Sequence, residues 1–156
     1  MEIKQILKQI SFLSFSSMGQ IIDKIELIEL VKGTAVLSTD KVEKKIYFIK
    51  KGMVRAYTVD DGKEITFWFG KEGDLIVSMR SYVENKTGYE TIELVEDCEL
   101  YEIKMSDLHE LYSTNLEIAN WGRKLAEIEL IKTEERFISR QLGTAIDRYK
   151  KLLNED

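Results

Sequence analysis

The sequence predicts one domain built mainly from β-strands, with short helices before the strands and a long helix after them. Between residues 25 and 103, short runs of β-branched and aromatic residues alternate with glycine-containing turns. On both sides of this region the apolar residues recur at the three- and four-residue spacing of a helix. Many short strands joined by regular turns are typical of a sandwich, a barrel or a jelly roll.

Two short helices are expected at the N-terminus. Segment 14–23 begins with serines, which can cap a helix. Segment 2–10 places its apolar residues on one helical face, at Ile3, Ile6, Leu7 and Ile10.

Turns divide the strand region into segments of about five to eight residues. Asp60-Asp61-Gly62 lies between two alternating segments, and Asp-Gly in that context is a strong hairpin signal. A short apolar step and a polar loop are expected between residues 75 and 88. The predicted strands are 25–31, 34–39, 45–52, 53–59, 63–69, 89–95 and 98–103.

The helical spacing returns after residue 103 and continues without a proline. Ser106 is expected to cap a short helix, and a long helix is expected from Asn115 to Leu142. Gly143-Thr144 is predicted to break it, with Thr144 capping a shorter helix. The predicted organisation is a β-roll with flanking helices at 1–114, a long helix at 115–142, and a hinge with the start of another helix at 143–156.

An apolar stripe on the long helix is interpreted as the interface of a homodimer. A helix of this length cannot bury both of its faces on one small β-roll, so one face is expected to meet a second copy. Packing within the same chain is the alternative. The stripe consists of Ile118, Trp121, Leu125, Ile128, Ile131 and Ile138.

Composition excludes several classes of function. The 156 residues carry a net charge of −5, whereas a compact DNA-reading domain is expected to be basic. The only cysteine, Cys98, and the only histidine, His109, lie in unrelated predicted elements. The sequence therefore offers no internal disulfide, no metal or iron–sulfur site and no catalytic set, and we expect no enzyme activity. No apolar run approaches a membrane span and no signal pattern begins the chain, so a cytoplasmic protein is expected.

The segment KEGDLIVSMRSYVENKTGYETIELV, residues 71–95, is the candidate ligand site. In the turn Gly73-Asp74-Leu75, glycine permits a positive φ and a close approach of the backbone to a ligand. The Asp74 carboxylate can accept a hydrogen bond from a hydroxyl group. An ordinary turn of the β-roll with a solvated carboxylate is the alternative.

Two segments resemble known families. The run YFIKKGMVRAYTVDDGKEITFWFGKEGDLI is similar to the strand, G-x-V-R, turn, strand and G-D/E-L pattern of cyclic-nucleotide-binding domains. TAIDRYKKLLNED resembles the segment that precedes the DNA-binding domain in Crp/Fnr-type transcription regulators, in particular their Bacteroidetes branch. The resemblance implies a double-stranded β-helix (jelly roll) that senses an effector and dimerises. The helix-turn-helix of such regulators is not in this chain, so DNA contact is expected only through a module outside it.

The resemblance also implies site residues, with one departure. Family members that bind cyclic AMP place an arginine on the cyclic phosphate. The corresponding position here falls near Gly88-Tyr89, where no cation exists. The nearest cations are Lys86 and Arg80, and Arg80 is the one that could supply the charge. We therefore expect weak or no cyclic AMP binding, with another small ligand or none. The candidate residues are Gly73, Asp74, Leu75, Ser78, Arg80, Gly88, Tyr89 and, on the long helix, Thr133. A stand-alone small-molecule-binding or protein-interaction module is the alternative function.

Overall fold

The computed structural model describes residues 1–154, without the side chains of residues 144–149, 151 and 154. Helices flank a region of eight short strands. In chain order the elements are α1 Ile3–Ile10, α2 Phe15–Ile22, β1 Glu26–Leu30, β2 Ala35–Leu37, β3 Lys45–Lys51, β4 Val54–Asp60, β5 Lys63–Gly70, β6 Leu75–Ile76, α3 Met79–Glu84, β7 Thr91–Leu94, β8 Cys98–Lys104, α4 Met105–Thr114 and α5 Leu116–Asn154.

The eight strands form two antiparallel four-stranded sheets, in the orders β1-β8-β3-β6 and β2-β7-β4-β5. This confirms the predicted β-roll with helices before and after it. The hairpin predicted at Asp60-Asp61-Gly62 is also present, since Asp60 of β4 pairs directly with Lys63 of β5. All seven predicted strands appear, with ends that differ by a few residues.

Two elements between β5 and β7 were missed by the sequence analysis. Strand β6 has only two residues, which is too short to show alternation, and helix α3 has only six, in a segment predicted as a polar loop. The cap predicted at Ser106 is wrong. Helix α4 begins at Met105, two residues earlier than that cap implies, because β8 runs directly into it and the N–H of buried Met105 donates to the Lys44 carbonyl.

The core has two parts. One lies between the two sheets, and the other packs α1, α2, α4 and the first turns of α5 against the sheet that contains β3 and β8. Trp121 is at the centre of the second part. Its ring meets Phe48 edge-on at 6.5 Å between centroids, and its indole N–H donates to the Leu7 carbonyl at 3.0 Å.

The prediction that the apolar stripe of the long helix forms a dimer interface is therefore wrong for the first three of its residues. Ile118, Trp121 and Leu125 are at most 4% exposed because they pack on the chain's own α1 and β3, so a second copy cannot reach them. Ile128 is half-buried, whereas Ile131 and Ile138 are exposed. Internal packing thus accounts for the proximal residues and leaves the distal ones uncovered.

The break predicted at Gly143-Thr144 is not present, because α5 continues through both residues to Asn154. A glycine in a helix interior costs only about 1 kcal/mol relative to alanine, which is too little to end a long helix. The capping role predicted for the Thr144 side chain falls outside the described residues. Within the described part of the chain, no helix combines the length and the apolarity that crossing a membrane requires.

Glu117 joins the start of α5 to the loop between α1 and α2, and this bond should depend on pH. The Ser14 backbone N–H donates to Glu117 Oε1 at 2.6 Å, and this hydrogen bond is the main cause that lowers the pKa of Glu117. The stabilisation is fully present above the unfolded glutamate pKa, about 4.3, and is lost as the pH falls through the lower folded value. We expect the melting temperature of Glu117→Gln to lie below that of the wild type at neutral pH and to converge with it in acid. A difference that stays constant across this range would contradict the assignment.

Candidate functional site

The turn at residues 71–74 has the positive φ predicted at its glycine. The N–H groups of Gly73 and Asp74, however, already donate hydrogen bonds within the chain. Gly73 has φ +89°, a conformation that other residues rarely adopt. Its N–H donates to the Ile49 carbonyl at 2.8 Å, and the Asp74 N–H donates to the Lys71 carbonyl at 2.9 Å. The first of these hydrogen bonds fastens the turn to β3, and the second closes the turn itself. The turn therefore does not offer a phosphate the N–H groups of Gly73 and Asp74.

The Asp74 carboxylate is also engaged within the chain. One of its oxygens accepts a hydrogen bond from the Lys71 N–H at 2.8 Å. The other lies 3.8 Å from the ammonium group of Lys132 on α5, which is also 3.5 Å from Glu129. Asp74 thus closes its own turn and links it electrostatically to the long helix. Leu75 is buried in the core, where it packs among apolar residues.

A cavity of about 350 Å³ lies beside α3 and brings together four of the predicted residues. Helix α3 carries Arg80 to the segment where the sequence analysis found no cation. The guanidinium group of Arg80 lies 4.8 Å from the Tyr89 ring centre and donates to the Thr87 carbonyl at 3.4 Å. Ser78 caps α3 by accepting from the Ser81 N–H. The cavity is lined by Ser78, Met79, Arg80, Val83, Glu84, Gly88, Tyr89 and Glu90.

A second cavity of about 540 Å³ separates the β-roll from α5. It contains Thr133, the one predicted site residue on the long helix. Met79 and Glu90 line both cavities, so the two spaces adjoin each other. The second cavity is lined by Phe67, Val77, Met79, Glu90, Ala126, Glu129, Leu130, Thr133 and Arg136.

Two carboxylates of the second cavity are half-buried. Burial raises the pKa of Glu90, against the opposing effect of the Arg136 charge. Burial likewise raises the pKa of Glu129, against Lys132 and Arg136. Each group is therefore ionised at a cost in folding free energy, and this cost grows as the pH rises from the unfolded pKa through the raised folded pKa.

Arg136 and Thr133 belong to the part of the cavity wall that α5 contributes. Arg136 donates to the Thr133 hydroxyl at 3.2 Å, and that hydroxyl donates in turn to the Glu129 carbonyl at 2.8 Å. The guanidinium group of Arg136 also lies 5.7 Å from the Trp68 ring centre on β5. The same arginine therefore lines the cavity and holds α5 against the edge of the β-roll.

The sequence analysis missed Glu90, Glu129 and Arg136 as site residues. Glu129, Thr133 and Arg136 are spaced by four and three residues, which puts them on one helical face, and this signal was available. Which face meets the cavity depends on how Trp121 seats the helix, and that is a tertiary fact. Of the predicted residues, Ser78, Arg80, Gly88 and Tyr89 share one cavity and Thr133 lies in the other, whereas Gly73, Asp74 and Leu75 line neither.

The fold matches solved structures whose sequences differ widely from that of this chain. A cyclic nucleotide-binding domain from Methylobacillus flagellatus aligns with a TM-score of 0.76 at 12% identity, over 85% of this chain and 77% of that one. The catabolite activator protein of Thermus thermophilus aligns with a TM-score of 0.71 at 19% identity, over 89% and 63%. The sensor domain of the transcriptional regulator DNR from Pseudomonas aeruginosa aligns with a TM-score of 0.64 at 18% identity, over 83% and 82%.

The family is shown by a sequence model described as the cyclic nucleotide-binding domain, which matches residues 27–115, more than half of the chain. The chain belongs to this family. It spans less than two thirds of the length of the Thermus activator. No curated protein matches it. At the identities given above, the structural likeness extends to the fold and no further.

Proposed function

We propose that this chain is the effector-sensing and dimerisation part of a Crp/Fnr-like transcription regulator, and that its effector is not bound in the manner of cyclic AMP. The observation that carries the proposal is the cavity that α5 shares with the β-roll. A ligand there touches the roll through Phe67 and Glu90, and the long helix through Thr133 and Arg136. Contact with the DNA is assigned to another module.

The contacts around this cavity supply a route from ligand to helix. Arg136 lies over Trp68, and one turn further along α5 Arg140 donates to the Phe67 carbonyl at 3.1 Å. A ligand that draws Arg136 into the cavity competes with its contact to β5. It shifts the angle of α5 only to the extent that it binds one helix position more tightly than the other.

The distal half of α5 carries the surface proposed for dimerisation. With 39 residues the helix is about 58 Å long, at 1.5 Å per residue, and extends well past its contacts with the β-roll. Two pairs of its exposed apolar residues, Leu130 with Phe137 and Ile131 with Ile138, are seven residues apart, which is the repeat of a coiled coil. A second copy of the same helix is the partner that this repeat fits. The residues are Leu130, Ile131, Phe137, Ile138 and Leu142.

Dimerisation is tested with the double variant Ile131→Glu, Ile138→Glu, measured by sedimentation velocity. We expect a dimer for the wild type and a monomer for the variant, because four like charges would meet across the paired helices. Phe12→Glu is the matched control, since Phe12 is also an exposed apolar residue but lies between α1 and α2. A monomeric wild type, or a control that dissociates equally, would favour a stand-alone binding module instead.

A further inference from the structure

We propose that the cavity between the β-roll and α5 takes a small molecule with an apolar body and a cationic amine or amidine group, which Glu90 and Glu129 hold. This inference rests on the proposed function, because it names the chemical class of the effector at the same cavity. It differs from the ligand class in the family's name, which is anionic.

The size and lining of the cavity fit such a molecule. About 540 Å³ is within the range of small-molecule sites. One part of the wall is apolar, formed by Phe67, Val77 and Leu130, and suits a hydrocarbon or aromatic body. The carboxylates of Glu90 and Glu129 are contributed by opposite sides, one by the segment before β7 and the other by α5.

The charge balance at the cavity favours a cation. The ionisable groups that line the cavity are two carboxylates, Glu90 and Glu129, and one cation, Arg136, which leaves one negative charge. Lys132 already lies within 4 Å of both Asp74 and Glu129. Glu90 has no ion pair within that distance among the residues that the structure describes, and the Arg136 charge lowers its pKa less than burial raises it, so a further cation would stabilise its ionised form.

An anionic ligand would be repelled by the carboxylates of this cavity. Arg80 lies in the adjoining cavity, over the Tyr89 ring. Glu90 lines both cavities. A phosphate placed between Arg80 and Arg136 would therefore lie near the Glu90 carboxylate, and like charges at close range repel.

The ionisation of the two glutamates supports this assignment. Burial disfavours the ionised forms of Glu90 and Glu129, and a bound cation would restore them through charge-assisted hydrogen bonds. Binding should therefore weaken as the pH falls and the two carboxylates take up protons. An anionic ligand would show the reverse dependence.

The test uses three probes of nearly equal shape: benzamidine, which is cationic, benzamide, which is neutral, and benzoate, which is anionic. Each is titrated to millimolar concentration into the ¹⁵N-labelled full chain, and the amide signals of Glu90, Glu129 and Thr133 are followed by NMR. Cyclic AMP is titrated separately. The variants are Glu90→Gln and Glu129→Gln, with Glu84→Gln as the control, because Glu84 lines only the other cavity and pairs with Lys86.

We expect benzamidine alone to shift these signals, and either cavity variant to weaken its binding about tenfold, which is the loss of one charged contact of about 1.4 kcal/mol. The control should bind as the wild type does. Signals shifted by benzoate or cyclic AMP instead, benzamidine binding that is unaffected by both variants, or no shift with any probe would each overturn the inference.

The outcome is separable from that of the proposed function. If cyclic AMP binds and the chain is dimeric, the sensing and dimerisation function stands, whereas the cationic ligand class and the binding mode proposed to differ from that of cyclic AMP are both wrong. If benzamidine binds through Glu90 and Glu129 but the wild type is monomeric, the ligand class stands and the dimeric regulator is wrong. The binding spectra also show directly whether each glutamine variant is folded.

Discussion

Replacing Trp121 by alanine is expected to lower the free energy of unfolding by about 3–5 kcal/mol, the usual cost of removing a large buried aromatic side chain. Trp121 is 1% exposed and touches Phe48 edge-on, and it donates to the Leu7 carbonyl. The substitution leaves a cavity between α1, β3 and α5 and an unsatisfied carbonyl in α1. Chemical denaturation followed by circular dichroism measures the change.

The control for this prediction is Trp121→Phe, which keeps an aromatic ring and removes the indole N–H. We expect it to cost less than the alanine variant, because most of the apolar contact remains and mainly the bond to the Leu7 carbonyl is lost. A loss below about 1 kcal/mol for the alanine variant would mean that α5 is not seated by this residue. In that case Trp121 would again be a candidate for the dimer interface.

Replacing Gly52 by alanine should destabilise the chain by about 2–5 kcal/mol, from strain and overpacking together. Gly52 has φ +112°, between β3 and β4. An added Cβ would collide with Cys98 Sγ and would lie 2.9 Å from the Asp97 carbonyl oxygen. The carbonyl belongs to the backbone leading into β8, so it cannot turn away. Urea unfolding measures the change.

Gly33→Ala is the matched control, because Gly33 also has a positive φ, +87°, but has no atom within 4 Å of an added Cβ. It should show only the conformational cost, about 1–2 kcal/mol. Combining Gly52→Ala with Cys98→Ala should recover part of the loss, since the sulfur collision disappears and the Asp97 carbonyl remains. Equal effects of the two glycine substitutions would show that β8 moves to accept the methyl group.

The candidate site shows where sequence reasoning reached its limit. The sequence places Arg80 eight residues before Gly88, at the wrong offset for the expected arginine. Helix α3, which was not predicted, folds the intervening residues back so that Arg80 stacks on Tyr89. A helix of six residues has too few turns to show periodicity, so this return could be seen only in three dimensions.

The sequence by itself determined the order of the elements, because alternation, glycine turns and helical spacing are local properties of neighbouring residues. The β4–β5 hairpin and the two N-terminal helices follow from such signals. The tertiary structure decided which apolar residues of α5 are covered. Trp121 and Ile131 belong to the same stripe, but Trp121 packs on α1 and β3 whereas Ile131 is exposed, and only packing between distant segments sets that difference. The same packing brought Glu90 and Glu129 to one cavity, since burial and charge balance depend on contacts between residues far apart in the chain.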